Sequence, residues 1–315
     1  MTTQSDLKKR VRARQAKTGE SYTAARAHVI GALKPAAEAD TQPEHVTAVV
    51  LKCNEKSVRL RIRGEDGTVT LRCGTYDAMR LKPAQIIEVT LNKRWSWRDD
   101  AYASGVIDNI WFDAVALDLV PLPLKDQGVW DLNQTYEPFQ ADSPYYELWA
   151  TAAAEPRAAF EFDGIAWGAG VDPDDPDACP VSTAAELEDQ GEARELLMDT
   201  LLSDLRCIDA HVHLGHQLFD DWPEDAITHY EIALAIGEQS LGADFSGILP
   251  WGCLYNRPFL RAMHGYGLCL WRAGKVEQAL EVFERNLALN PADNQGIRFC
   301  WHDLKKGRAW SADMR

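Results

Sequence analysis

The stretch Ile208–His216, IDAHVHLGH, is the densest group of metal-capable side chains in the 315-residue chain. On a β-strand, His211 and His213 would point to one side and, with Asp209, begin the ligand set of a metal-dependent hydrolase. On a helix, residues two apart lie about 200° from each other. The set that shares a helical face is then Asp209, His213 and His216, spaced four and three, a weak two-histidine, one-carboxylate metal candidate. The flanking periodicity is helical and no further ligand pattern follows, so no metal, cofactor or catalytic residue is expected. No phosphate loop, GxSxG elbow or kinase signature occurs in the chain. Seven scattered cysteines include no CxxC pair, which suits free thiols in a reducing compartment better than a disulfide framework or zinc site. The aspartates of DPDDPDACP (Asp172–Pro180) lack the glycine and terminal glutamate of a calcium loop.

A second group is aromatic and basic. NKRWSWRDDAY (Asn92–Tyr102) sets Trp95 and Trp97 among Lys93, Arg94 and Arg98. With Arg59, Arg61 and Arg63 of SVRLRIR, these residues could make a stacking surface for single-stranded nucleic acid. The plainer reading is an amphipathic strand whose tryptophans cover a small sheet. Charge is consistent with either: residues 1–99 carry 19 Lys and Arg against 11 Asp and Glu, while the whole chain is at −15. A basic front on an acidic body points to an acidic partner for the front alone, or to attraction within the chain.

These side chains need elements to hold them, and the period of the sequence changes along the chain. The whole reads as a multidomain α+β protein. Residues 1–35 form a basic helical arm, with Ser5-Asp6 capping one short helix and Ser21 or Thr23 a second. Ala32–Glu44 is a Pro/Ala/acid linker. Residues 45–113 alternate with period two: in SVRLRIR, Val58, Leu60 and Ile62 face one way and the arginines the other, and GEDG (Gly64–Gly67) makes a hairpin turn. About five strands suggest a small antiparallel barrel, OB-like or SH3-like. Residues 114–180 show little periodicity and read as an irregular connector. From 181 to 310 the period is helical, with Ala193, Leu196, Leu197, Thr200, Leu201 and Leu205 on one face.

Inside this helical region, a pair of stretches align with each other. In HVHLGHQLFDDWPEDAITHYEIALAI the marked positions are Leu214, Gly215, Ala226, Tyr230 and Ala233. In HGYGLCLWRAGKVEQALEVFERNLALNP they are Gly267, Gly274, Ala279, Phe283 and Pro291, at spacings of 7, 5, 4 and 8. Both stretches resemble the tetratricopeptide repeat (TPR) family. The first is one residue short at its turn, Asn286 replaces a small residue, and Ser240–Pro258 is inserted between the repeats. The resemblance implies a hairpin stack that binds a protein segment on its concave face. By alignment that face carries Asp209, Val212, His216, Arg261, His264, Trp271 and Arg272, and the insertion adds Trp251, Tyr255, Asn256, Arg257 and Phe259 as a candidate hot spot. Val212 and His216 stand where chaperone-binding members have a Lys/Asn carboxylate clamp. The chain as a whole resembles bacterial, cytoplasmic proteins with a tetratricopeptide tail, and LKKRVRARQAKTGESYTAARAHV is similar to a small module found at the ends of assorted bacterial proteins. Neither likeness implies an activity.

The leading expectation is therefore a non-enzymatic, cytoplasmic scaffold. It binds a protein or peptide through Asp209, His216, Asn256, Arg257, Arg261, His264, Trp271 and Arg272. The alternative is a nucleic-acid-associated factor using Arg59, Arg61, Arg63, Lys93, Arg94, Trp95 and Trp97. No apolar run is long enough for a membrane span, and Met1–Arg14 lacks the apolar core of a secretory signal.

Overall fold

The computed structural model describes Lys8, Lys9, residues 11–14, Tyr22, Ala25, Arg26, residues 43–168 and residues 179–311. Contacts divide the chain into Met1–Glu44 and His45–Arg315. In the first unit the described arm residues are helical, and Val11 packs with Ala25 in a small buried cluster. The expected helix caps at Ser5-Asp6 and Ser21 or Thr23, most of the linker, and residues 172–178 lie outside the described residues.

The second unit begins with β1 (Glu44–Asn54), β2 (Ser57–Ile62), β3 (Val69–Arg72), helix α1 (Thr75–Arg80), β4 (Ile86–Trp97) and β5 (Asp100–Trp111). Strand order is β1-β2-β3-β5-β4, and the sheet closes on itself. At the closure, the Val50 N–H donates to the Gln85 carbonyl and the Ala84 N–H to the Val50 carbonyl, both at 2.8 Å. Alternation decides the faces: Val58, Leu60 and Ile62 are buried, with Leu71, Ile87, Val89, Leu91 and Ala103, in one core. The expectation of purely antiparallel pairing is corrected in one place. β3 and β5 run parallel, because the chain crosses through α1 and β4 before returning beside β3.

The segment read as irregular contains β6 (Leu124–Trp130), α2 (Leu132–Thr135), α3 (Tyr146–Ala152) and β7 (Arg157–Phe162). β6 and β7 pair antiparallel. The segment after the long helix Pro223–Leu241 joins their edge, with the Ile248 N–H donating to Ala158 O and the Phe160 N–H to Ile248 O. This pairing spans some 90 positions of sequence, so no local period announces it.

Helices α4 (Pro180–Glu186), α5 (Gln190–Ser203), α6 (Ile208–Leu218), α7 (Pro223–Leu241), α8 (Arg257–Arg272), α9 (Val276–Leu289) and α10 (Ile297–Lys305) follow. Each of the last five packs on its neighbour in sequence, and α6 also meets α8. Small residues set the approach. The Tyr230 ring of α7 is wedged between Gly215 of α6 and Gly265 of α8, where a Cβ would lie 2.9 Å and 2.4 Å from ring atoms. Phe283 of α9 presses on Gly267 in the same manner, at 2.3 Å.

The closed sheet and the helices share a seam. Val49, Leu51, Ala84 and Ile86 belong to the same core as Leu197, Leu201 and Tyr230. Along its rim, Lys52 Nζ donates to Glu195 and Asp199 of α5. Lys82 Nζ reaches Asp225 of α7 at 2.8 Å and also donates to the Met79 and Arg80 carbonyls. Among the described residues, no helix is long and apolar enough to cross a membrane.

Candidate functional site

Pairing register builds one continuous row across four strands. Arg59 of β2 faces Thr70 of β3, Thr70 faces Tyr102 of β5, and Tyr102 faces Trp95 of β4. The next row is Ser57, Arg72, Ser104 and Lys93, and Asp100 faces Trp97 beyond the first. Residues two apart on a strand share a face, so these rows lie side by side on the outside of the sheet. Trp95 and Tyr102 stack, with centroids 5.8 Å apart and planes 11° from parallel. The Arg72 guanidinium sits over the Tyr102 ring, 5.8 Å from its centroid. Trp97 is 63% exposed.

Two adjoining recesses open on this face. One, of about 400 Å³, is lined by Arg72, Trp95, Trp97 and Tyr102. The other, of about 450 Å³, is lined by Lys56, Ser57, Arg59, Thr70, Arg72, Asp100 and Tyr102. The first is aromatic, the second polar and mainly cationic, and Arg72 and Tyr102 wall both. In the polar recess Arg59 Nη2 and Asp100 Oδ1 are 3.5 Å apart, and Arg59 Nε is buried without a partner. An aromatic slot beside a cationic one offers a base its stacking surface and a phosphate its countercharge.

Of the basic and aromatic residues singled out from sequence, Arg59, Trp95 and Trp97 line these recesses, and Lys93 shares their face. Two are corrected. Arg63 is turned aside to the Ala116 carbonyl at 2.6 Å. Arg94 is clasped by both oxygens of Glu65, at 2.8 Å and 2.7 Å, which holds the Glu65 carboxyl below its ordinary value. Arg61 is exposed on β2 but lines neither recess. Sequence reasoning missed Lys56, Arg72, Asp100 and Tyr102 as members of the site. The parallel β3–β5 register gathers them, and nothing in the local pattern of either strand reveals it.

Most residues expected to line a helical groove are engaged within the fold. Asn256 is fully buried: its Oδ1 accepts from the Phe162 N–H, and its Nδ2 donates to the Phe160 and Pro250 carbonyls. It anchors the insertion to β7 and is not free to bind a partner. Trp271 is 2% exposed, donates to the Arg308 carbonyl and packs edge-on against Trp310. The Arg272 guanidinium is spent on the Phe219 and Asp220 carbonyls. Asp209, 2% exposed, is bound by Arg261 at 2.7 Å. Burial pushes the Asp209 carboxyl up to about 6, and Arg261 offsets this only in part. Arg257 donates to the Trp251 carbonyl and lies over its indole ring. Most of the expected binding residues thus hold neighbouring segments in place; His216 is exposed, and Arg261 and His264 are half-buried.

The metal candidate does not assemble. His213 Nε2 stands 3.8 Å from Asp209 Oδ1, and the His213 and His216 rings are 6.0 Å apart, edge to face. No group of three His, Cys, Asp or Glu able to hold a metal occurs among the described residues. Burial lowers His213 and His264 to about 4, so both are neutral imidazoles at pH 7. His211 instead turns inward and meets His229, with the two Nδ1 atoms 3.2 Å apart. Comparison with family models, with curated proteins and with solved structures finds no match to this chain.

Proposed function

We propose that this protein binds single-stranded nucleic acid on the outer face of β2, β3, β5 and β4, its closed sheet serving as an OB-like module. The observation that carries the reading is the pair of recesses sharing Arg72 and Tyr102, one aromatic and one cationic, beside the exposed Trp97. Base stacking on an aromatic or guanidinium plane contributes about 1–3 kcal/mol per base and needs no sequence match. A duplex hides its base faces, so the aromatic recess favours single strands. With Lys56, Arg59, Arg72 and Lys93 within reach of the backbone, a salt slope of about two to three released counterions is expected.

Fluorescence anisotropy with a labelled 12-nucleotide single strand tests this. Trp97→Ala and Arg72→Ala are each expected to weaken binding about tenfold or more, while Arg94→Ala changes it little. Binding of duplex equal to that of single strand, or indifference to both substitutions, would sink the reading.

A second reading keeps the tetratricopeptide-like hairpins as a docking surface for a protein segment. It is supported by a recess lined by His264, Arg298 and Phe299, with Phe299 63% exposed. The two readings concern different faces and are compatible in a scaffold that joins a nucleic acid to a protein. A pull-down in which Phe299→Ala loses a protein and Trp97→Ala loses nucleic acid would separate them.

A further inference from the structure

The polar recess contains a group that a phosphate site does not need. Asp100 carries a carboxylate among Lys56, Arg59 and Arg72, and its side chain is 55% exposed. A negative charge beside a phosphodiester is repulsive, so a recess serving phosphate alone is better without it. Asp100 does pair with Arg59, but weakly. Its contact with Arg59 is at 3.5 Å, the loose limit of a hydrogen bond, and it leaves Arg59 Nε buried and unpaired. A tight structural pair would resemble that of Arg94 with Glu65, which is bidentate and short. Asp100 lines the recess with its side chain 55% exposed, so its carboxylate keeps accepting capacity beyond the loose Arg59 contact.

Its position says what it accepts from. Asp100 faces Trp97 across the β4–β5 turn, and Arg72 and Tyr102 form the common wall between the aromatic and polar recesses. A base stacked on Trp97 would have its sugar near that shared wall and its phosphate on the side of Lys56 and Arg59, the residues that line the polar recess. The donor that a sugar can offer there is a hydroxyl, and in an internal nucleotide of a strand the free hydroxyl is the 2′-OH of ribose. We infer that the face is selective for RNA over DNA, with Asp100 accepting a hydrogen bond from a ribose 2′-hydroxyl. This rests on the single-strand reading above and adds to it the class of nucleic acid.

The test compares four strands of one sequence on the full-length chain: U12 as ribose, as deoxyribose, as 2′-O-methyl and as 2′-fluoro. The last two keep an oxygen or fluorine at the 2′ position but cannot donate. A hydrogen bond to a charged acceptor predicts about tenfold tighter binding of the ribose strand than of the other three. In Asp100→Ala that ratio is expected to fall to about one, whatever the general gain from removing a negative charge. In Asp99→Ala, its neighbour in the same turn, the ratio should persist. Equal affinities for ribose and deoxyribose strands overturn the RNA assignment and leave the single-strand reading standing. So does 2′-O-methyl RNA binding as well as ribose, which would place the preference in sugar pucker. Failure of the unaltered chain to bind any of the four removes both readings together.

Discussion

His211 and His229 meet through their Nδ1 atoms in a site with no solvent contact, near the cations Lys82 and Arg194. Burial lowers His211 to about 3 and holds His229 well below its ordinary value. In the unfolded chain both titrate near 6.5. Below that pH the unfolded chain binds protons that the native pair refuses, so stability falls on acidification, by about 2 kcal/mol per histidine between pH 7 and 5. Asp209, raised to about 6, works in the opposite direction over part of this range. Its effect cancels when variant and parent are compared. His211→Leu/His229→Leu should therefore keep its melting temperature at pH 5 better than the parent does, and equal losses in both would refute the argument. A steric prediction belongs at the same scale. Gly265→Ala brings a methyl to 2.4 Å from the Tyr230 ring and should cost about 1–3 kcal/mol in a thermal melt. Gly252→Ala enters open space and should cost almost nothing.

Elements were legible in proportion to how local their causes are. Gly274, marked in the aligned stretch, turns between α8 and α9 at φ 73°. Trp95 and Trp97 could be marked as stacking candidates because the run that holds them is local, and of the two Trp97 is the exposed one. Other features depend on partners far along the chain. Asn256 looked like a surface amide because its neighbours Trp251, Tyr255 and Arg257 suit a hot spot. In fact its three hydrogen bonds run to Phe162, Phe160 and Pro250, two of those residues more than 90 positions away. Tyr102 and Arg72 became site residues only through the β3–β5 register. Asn256→Ala should consequently behave as a core lesion. It strands the buried Phe162 N–H and costs about 3 kcal/mol or more, read as a lower denaturation midpoint with little change in any binding.

At the scale of the whole molecule, the change of period along the sequence suggests separate strand-rich and helical domains, whereas His45–Arg315 is one compact unit. The reason is the two-sided use of β1 and the turn before β4. Val50 points into the closed sheet, while Val49, Leu51, Ala84 and Ile86 join the helical core. A run that is apolar on both faces reads locally as an ordinary buried strand, and only the structure shows that its second face is covered by helices. A chain starting at residue 114 should therefore melt broadly and bind a hydrophobic dye, and a sharp, dye-free melt would show that the helices do not need the sheet.

The parallel contact between Val69 and Ala101 has a further consequence, in time rather than in energy. The helical hairpins form from neighbours in sequence, which close quickly, whereas β3 can meet β5 only after the intervening helix and strand are placed. The Trp95–Tyr102 stack, with Arg72 above it, is complete only once that register is set. The chain should thus gain most of its helix signal before this stack is complete. On a growing chain, this face of the sheet would mature after the strands that compose it have been made.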